Sequence, residues 1–163
     1  MAFAIISPNM VGAQPIAATT TTQNHPLGTT VRGVDPTYGE GEFIYLKGVA
    51  STAIGSPVIY NTATFATTLA PVGTNKPQPI AIAMSANVAS QYGWYQIAGT
   101  ARGLKTSGLA LASNAAVGIL TAGKFAATGS GKEVQGALTV AKSTTSTLVT
   151  LIIQRPAMQG RIT

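Results

Sequence analysis

The chain has 163 residues, a length typical of one domain, and only 9% of them are charged, far below the roughly 25% typical of soluble domains. Its ten basic and four acidic residues give a net charge of +6 but are scattered, which argues against the clustered basic surface of a nucleic-acid-binding protein. The absence of cysteine excludes disulfides, a thiol nucleophile and a cysteine metal site, and no apolar run approaches the ~20 residues that span a bilayer.

Residues 1–41 are predicted to form an extended N-terminal arm. Four prolines exclude a long helix here, because proline lacks a backbone N–H and biases the preceding residue away from helix. Residues 1–30 contain no acidic or basic side chain, which is not typical of a disordered tail. Two interpretations remain open, a loop-rich edge of the same domain or an arm that docks on a neighbouring subunit. In the docking interpretation the contact residues are the isolated apolar ones, Phe3, Ile5, Ile6, Met10, Val11 and Ile16.

Residues 42–155 are predicted to form a β domain, with a short C-terminal tail over residues 156–163. Ile80, Ile82 and Met84 alternate with alanines, which is the period-two pattern of a strand. Other β-branched or aromatic runs, separated by Gly and Pro turns, predict strands over residues 43–46, 58–60, 92–98, 115–120, 136–141 and 148–153.

Strands this short, with turns this frequent, predict an all-β fold, either a compact β-sandwich or a small β-barrel. Residues 107–116 could instead form one short helix. The aromatic group Tyr92, Trp94 and Tyr95 falls on one predicted strand, so Tyr95 points to the face opposite the other two. These rings are interpreted as core residues, with a base-stacking or interface role as the alternative.

The sequence offers no convincing catalytic base and no phosphate-binding loop. Its one histidine, His25, precedes a proline in the predicted arm, and no Gly-x-Ser-x-Gly nucleophile elbow is present. Residues 118–124 fit the pattern G-x-x-x-x-G-K, but Phe125 follows where Ser or Thr must bind magnesium. The match is interpreted as accidental.

The acidic residues give no stronger signal. Asp35, Glu40 and Glu42 are close in sequence, and paired carboxylates can hydrolyse glycosides or bind calcium. The two glutamates flank Gly41 in a glycine-rich turn, so a solvated turn is the favoured interpretation. We therefore expect no catalytic residues, no metal and no cofactor, and hence no enzyme.

The β domain contains strand and turn sequences that can be compared with a known family. Gly-Glu-Phe-Ile-Tyr-Leu-Lys-Gly-Val-Ala at residues 41–50 is followed by Gly-Ser-Pro-Val-Ile-Tyr at residues 55–60, and similar patterns recur at residues 80–83, 93–101 and 118–131. From residue 41 to 155 the chain resembles the head decoration, or cement, proteins of tailed bacteriophages. The resemblance implies a compact β domain that forms symmetric oligomers on the capsid exterior and has no catalytic residues.

The expected function is therefore that of a viral structural protein that binds the outside of a capsid and stabilises it by crosslinking coat subunits. The expected partners are the major capsid protein and further copies of the chain, and the resemblance favours a trimer over a dimer. Specific nucleic-acid binding and membrane binding are not expected, and the protein would be made in the host cytoplasm. The alternatives are another virion component, such as a tail, fibre or coat protein, and a nucleic-acid-binding β domain.

Overall fold

A computed structural model of the chain describes residues 3–6, 12–73 and 77–160. All regular secondary structure in this part of the chain is β-strand, so the prediction of an all-β fold is confirmed. The predicted runs coincide with β4, β5, β7, β8, β9, β11 and β12. The strands in chain order are β1 (Ala4–Ile5), β2 (Thr19–Thr20), β3 (Thr30–Asp35), β4 (Gly39–Lys47), β5 (Pro57–Tyr60), β6 (Thr67–Leu69), β7 (Ile80–Ala83), β8 (Tyr92–Leu104), β9 (Ala116–Thr121), β10 (Lys124–Ala127), β11 (Glu133–Thr139) and β12 (Leu148–Met158).

The strands form one large antiparallel sheet, in the order β1-β3-β4-β8-β12-β11-β9-β10. β2 and β7 also pair with β8, and β5 joins β7 to β6. An isolated parallel bridge between Lys105 and Phe125 brings β10 beside the chain that follows β8. The sheet therefore folds over on itself and packs apolar side chains between its layers, in the manner of a sandwich.

Strand β8 belongs to both halves of the sheet. Its residues up to 99 pair with β4, and residues 98–104 pair with β12. Gly99 lies where the two pairings meet, and its φ of +98° favours glycine, which has no Cβ. A Cβ there would lie 2.3 Å from the carbonyl oxygen of Glu40. Glycine at this position thus lets one strand continue from the first half of the sheet into the second.

Buried side chains form three clusters on the two faces of the sheet. The first cluster, around Leu151, is made mostly by β8 to β12 with further residues from β5 and β7, and the second surrounds Trp94. The third surrounds Tyr95. The predicted alternation of β7 is confirmed, because Ile80 and Ile82 lie in the first cluster whereas the two alanines lie in the third.

Two boundaries and one element predicted from the sequence are corrected by the structure. The boundary at residue 41 falls inside β4, and β3 pairs with β4 along its whole length, so residues 30–41 belong to the sheet. The boundary at residue 155 falls inside β12, which continues to Met158. Residues 107–116 form turns rather than a helix, since Gly108 has a φ of +72° and Leu111 forms a bridge to Ser143.

Candidate interaction surface

An exposed apolar surface lies on the side of β8, β9, β11 and β12 that faces away from the first cluster. Residues alternate along each strand, so burial of Leu151 and Ile153 turns Ile152 outward. The register places Ile152 opposite Leu138 on one side and Thr100 on the other, and Leu138 lies opposite Ala116. We call this the outer face, and it comprises Thr100, Ala116, Leu138, Val140, Thr150 and Ile152.

Three large aliphatic side chains of the outer face are strongly exposed. Ile152 is 56% exposed, its cross-strand partner Leu138 51%, and Val140 42%. The N–H of Val140 donates a 2.9 Å hydrogen bond to the carbonyl of Thr150, so Val140 extends the same layer by one residue beyond β11. Single exposed apolar residues are ordinary, whereas adjacent ones make this face a candidate interaction surface.

A pocket of about 290 Å³ adjoins the outer face at Thr150. Arg102, which lies opposite Thr150, and Lys142 supply its positive charge. No acidic residue is among the described residues that line it, and its other lining residues are mostly small and hydroxylated. We call it the cationic pocket, and its lining is Arg102, Ala141, Lys142, Ser143, Thr144, Thr145, Ser146, Leu148 and Thr150.

Glu40 and Glu42 lie on β4 and not in the solvated turn expected from the sequence, and each forms an ion pair. Glu40 pairs with Arg32, and Glu42 pairs with Arg155 at 2.6 Å, all with exposed or half-exposed side chains. Asp35 is buried, and its Oδ1 accepts hydrogen bonds from the N–H groups of Thr37 at 2.8 Å and Tyr38 at 3.0 Å. Their positions therefore reflect pairing and turn formation, and the described residues contain no group of three potential metal ligands.

The N-terminal residues predicted as docking contacts lie mainly against the chain's own core. Phe3 is buried, and its ring centroid is 4.9 Å from that of Phe43, while Ile16 is 2% exposed in the second cluster. Ile5 is half-buried against the same cluster, and Ile6 is 43% exposed. Met10 and Val11 lie outside the described residues. The described residues of this segment, 3–6 and 12–41, therefore form an edge of the same domain rather than a free arm.

A buried polar network fastens the N-terminal segment to the sheet. The indole N–H of Trp94 donates a 2.8 Å hydrogen bond to the carbonyl of Gln14, and the Tyr45 hydroxyl bonds the Gln14 side chain at 3.0 Å. His25 accepts a hydrogen bond from the N–H of Gln14 and packs against the rings of Tyr45 and Trp94. His25 is therefore held by two ring contacts and one hydrogen bond from the backbone.

The three predicted aromatics occupy different environments. Trp94 and Tyr95 are fully buried on opposite faces of β8, and Tyr92 is half-buried beside Tyr45. The buried Tyr95 hydroxyl has no hydrogen-bond partner within the described residues, and its burial raises the pKa of Tyr95 to about 12. A Trp without exposed surface has no face on which a base can stack, so Trp94 and Tyr95 are core residues and Tyr92 packs at the edge of the second cluster.

The outer face was not among the residues predicted from the sequence. Residues 148–153 are apolar at most positions, so the outward side chains are not distinguished from the inward ones by hydropathy. An antiparallel sheet can leave one face uncovered, but which face that is follows from the exposure of Leu138, Val140 and Ile152 in the structure and not from the sequence. The described part of the chain also contains no apolar helix of membrane-spanning length.

No protein-family model matches this chain, and no curated protein is similar enough in sequence to be counted as a relative.

Proposed function

We propose that this chain is a non-enzymatic structural protein of a virus particle that binds the outside of the capsid and stabilises it by linking neighbouring coat subunits. The observation that carries the proposal is the outer face, with three exposed aliphatic side chains adjacent on a β-sheet. A wide sheet surface suits many weak contacts with a shell, and symmetric repetition converts such contacts into avidity.

Further support comes from the chain's few charges and from its resemblance to head decoration proteins. A nucleic-acid-binding β domain is the competing proposal, but the buried Trp94 removes the stacking platform that favoured it. The two arginines beside the glutamates are neutralised by ion pairs, which lowers the charge available to phosphates. We keep a trimer as the expected oligomer, on the resemblance alone.

The direct test is to quantify the protein on purified virions by mass spectrometry with isotope-labelled peptides. We expect a copy number in fixed proportion to the major capsid protein, and shells that lack the protein should release their genome at lower temperature. Absence of the protein from washed virions would contradict the proposal.

The role of the outer face can be tested with the double variant Val140→Thr and Ile152→Thr. Both side chains are exposed, so threonine should preserve the fold while it removes apolar contact area. Burial of a large aliphatic side chain is worth about 1.5–3 kcal/mol, so affinity for shells should fall about tenfold or more. Val34→Thr is the matched control, because Val34 is 37% exposed on β3. Equal loss in both proteins would show that the outer face is not the binding surface.

A further inference from the structure

We infer that the cationic pocket binds a carboxylate side chain of the protein that covers the outer face, so that an acidic residue of this partner pairs with Arg102. The inference rests on the proposed function and specifies the chemistry of its binding surface. It also implies that the outer face binds a different protein and not a second copy of this chain.

Arg102 is held in place and retains hydrogen-bonding capacity. Its Nη1 donates a 3.0 Å hydrogen bond to the hydroxyl of Tyr38, which fixes the guanidinium. Its Nε is buried and has no hydrogen-bond partner within the described residues. Nε has almost no accessible surface, so an incoming carboxylate would pair with the Nη side of the guanidinium, and a carboxylate is the acceptor that best matches this group.

The loop that carries Lys142 is also held in place by contacts within the chain. Lys105 is buried, and its Nζ donates to the carbonyls of Leu109 and of Thr144, the latter at 3.2 Å. Leu111 and Ser143 exchange two backbone hydrogen bonds of 2.9 Å each. The loop that carries Lys142 and the pocket hydroxyls is therefore anchored on both sides, which lowers the entropic cost of binding.

A second copy of the chain is poorly equipped to fill this pocket. The chain has four acidic residues, and three of them are engaged, Asp35 in a buried turn and Glu40 and Glu42 in ion pairs. The fourth, Glu133, is half-buried at the start of β11. Two copies that met through this face would also bring like charges together. Charge complementarity thus favours a partner with its own acidic residue.

A protein carboxylate fits the surroundings better than a nucleic-acid phosphate. The pocket is lined by two positively charged side chains, Arg102 and Lys142, and the adjoining centre of the outer face is aliphatic and carries no charge. A nucleic acid binds through a track of phosphate contacts, which two cationic side chains do not provide, whereas an arginine beside an apolar patch is typical of protein interfaces.

The first experiment measures the affinity of purified shells for the full chain and for Arg102→Gln and Lys142→Gln. Charge-assisted hydrogen bonds are among the strong ones at interfaces, so Arg102→Gln should weaken binding by about tenfold or more. Lys142 is exposed, so its replacement preserves the fold and should weaken binding less, about threefold. Lys47→Gln is the control of equal charge, since Lys47 is exposed at the end of β4. Equal affinities for all four proteins would overturn the inference.

A carbodiimide provides an independent readout, because it joins an amine and a carboxylate in contact as an amide. Treatment of decorated shells should couple Lys142 to an aspartate or glutamate of the coat protein, as identified by mass spectrometry. Crosslinks from Lys47 but not from Lys142 would contradict the assignment.

A third experiment separates failure of the inference from failure of the proposed function, since it needs no shell. The full chain is titrated with a leucine- and glutamate-containing peptide, with the same peptide bearing glutamine, and with a single-stranded oligonucleotide. The NMR signal of Arg102 Nε–H should shift with the glutamate peptide only. A larger shift with the oligonucleotide would indicate that the pocket binds a phosphate and not a carboxylate, which would overturn the inference. The absence of a shift with the glutamate peptide would also overturn it, whether or not the protein binds shells.

Discussion

Replacement of Ile16 by alanine tests whether the N-terminal segment belongs to the core. Ile16 is 2% exposed in the second cluster, so Ile16→Ala removes the equivalent of about three buried methylene groups. At ~0.8 kcal/mol for each, the transfer cost is roughly 2.4 kcal/mol. The cavity left behind brings the expected loss in free energy of unfolding to about 3–4 kcal/mol.

Thermal unfolding followed by circular dichroism is the appropriate assay. In a domain of this size each kcal/mol lowers the midpoint by about 2–4 °C, so Ile16→Ala should unfold about 6–16 °C below the wild type. The control is Ile6→Ala, which changes the same residue type in the same segment. Ile6 is 43% exposed, and its replacement should cost less than about 1 kcal/mol. If Ile16→Ala kept the wild-type midpoint but lost affinity for shells, Ile16 would contact a neighbouring subunit and our placement of the segment would be wrong.

Two further predictions concern β8. Gly99→Ala should lower the free energy of unfolding, measured by urea denaturation, by more than about 2 kcal/mol, because it adds a clash with the Glu40 carbonyl to an unfavourable φ. The control Gly39→Ala has a φ of +74° but open space around the new Cβ, so it should lower the free energy of unfolding by only about 1 kcal/mol. Equal losses would contradict the proposed packing at Gly99. Because burial raises the Tyr95 pKa from 10.0 to about 12, the stability that its neutral form contributes should be complete below pH 10 and lost between pH 10 and 12. Tyr95→Phe should therefore lose less stability than the wild type between pH 9 and pH 12, and parallel pH profiles would refute this.

The strands of the β domain could be predicted because their apolar residues follow simple rules. β7 alternates isoleucine with alanine, and β4 and β12 contain runs of β-branched and aromatic residues. β3 was not predicted from the sequence, and the reason is physical. Its inward positions are Val31, Gly33 and Asp35, and only the first is a large apolar residue. Asp35 is tolerated in the interior because it caps the following turn, a contact that hydropathy does not reveal.

The candidate interaction surface was harder to predict than the fold. Leu138 and Ile152 look like core residues in the sequence, and their exposure depends on which sheet face lacks a covering layer. The cationic pocket joins Arg102 on β8 to Lys142 in a loop 40 positions later, so its two charges meet only through the pairing of β8, β12 and β11. The segment before residue 30 was ambiguous because isolated apolar residues suit a docking arm and a sheet edge equally well.

The continuity of β8 through Gly99 has a mechanical consequence. Antiparallel neighbours bind β8 along most of its length, β4 on its first part and β12 on its second. Tension applied to one half of the molecule along this strand acts as shear on several backbone hydrogen bonds at once, rather than opening them one after another. The two halves share this backbone instead of a flexible linker, so they should resist deformation together and unfold in a single transition.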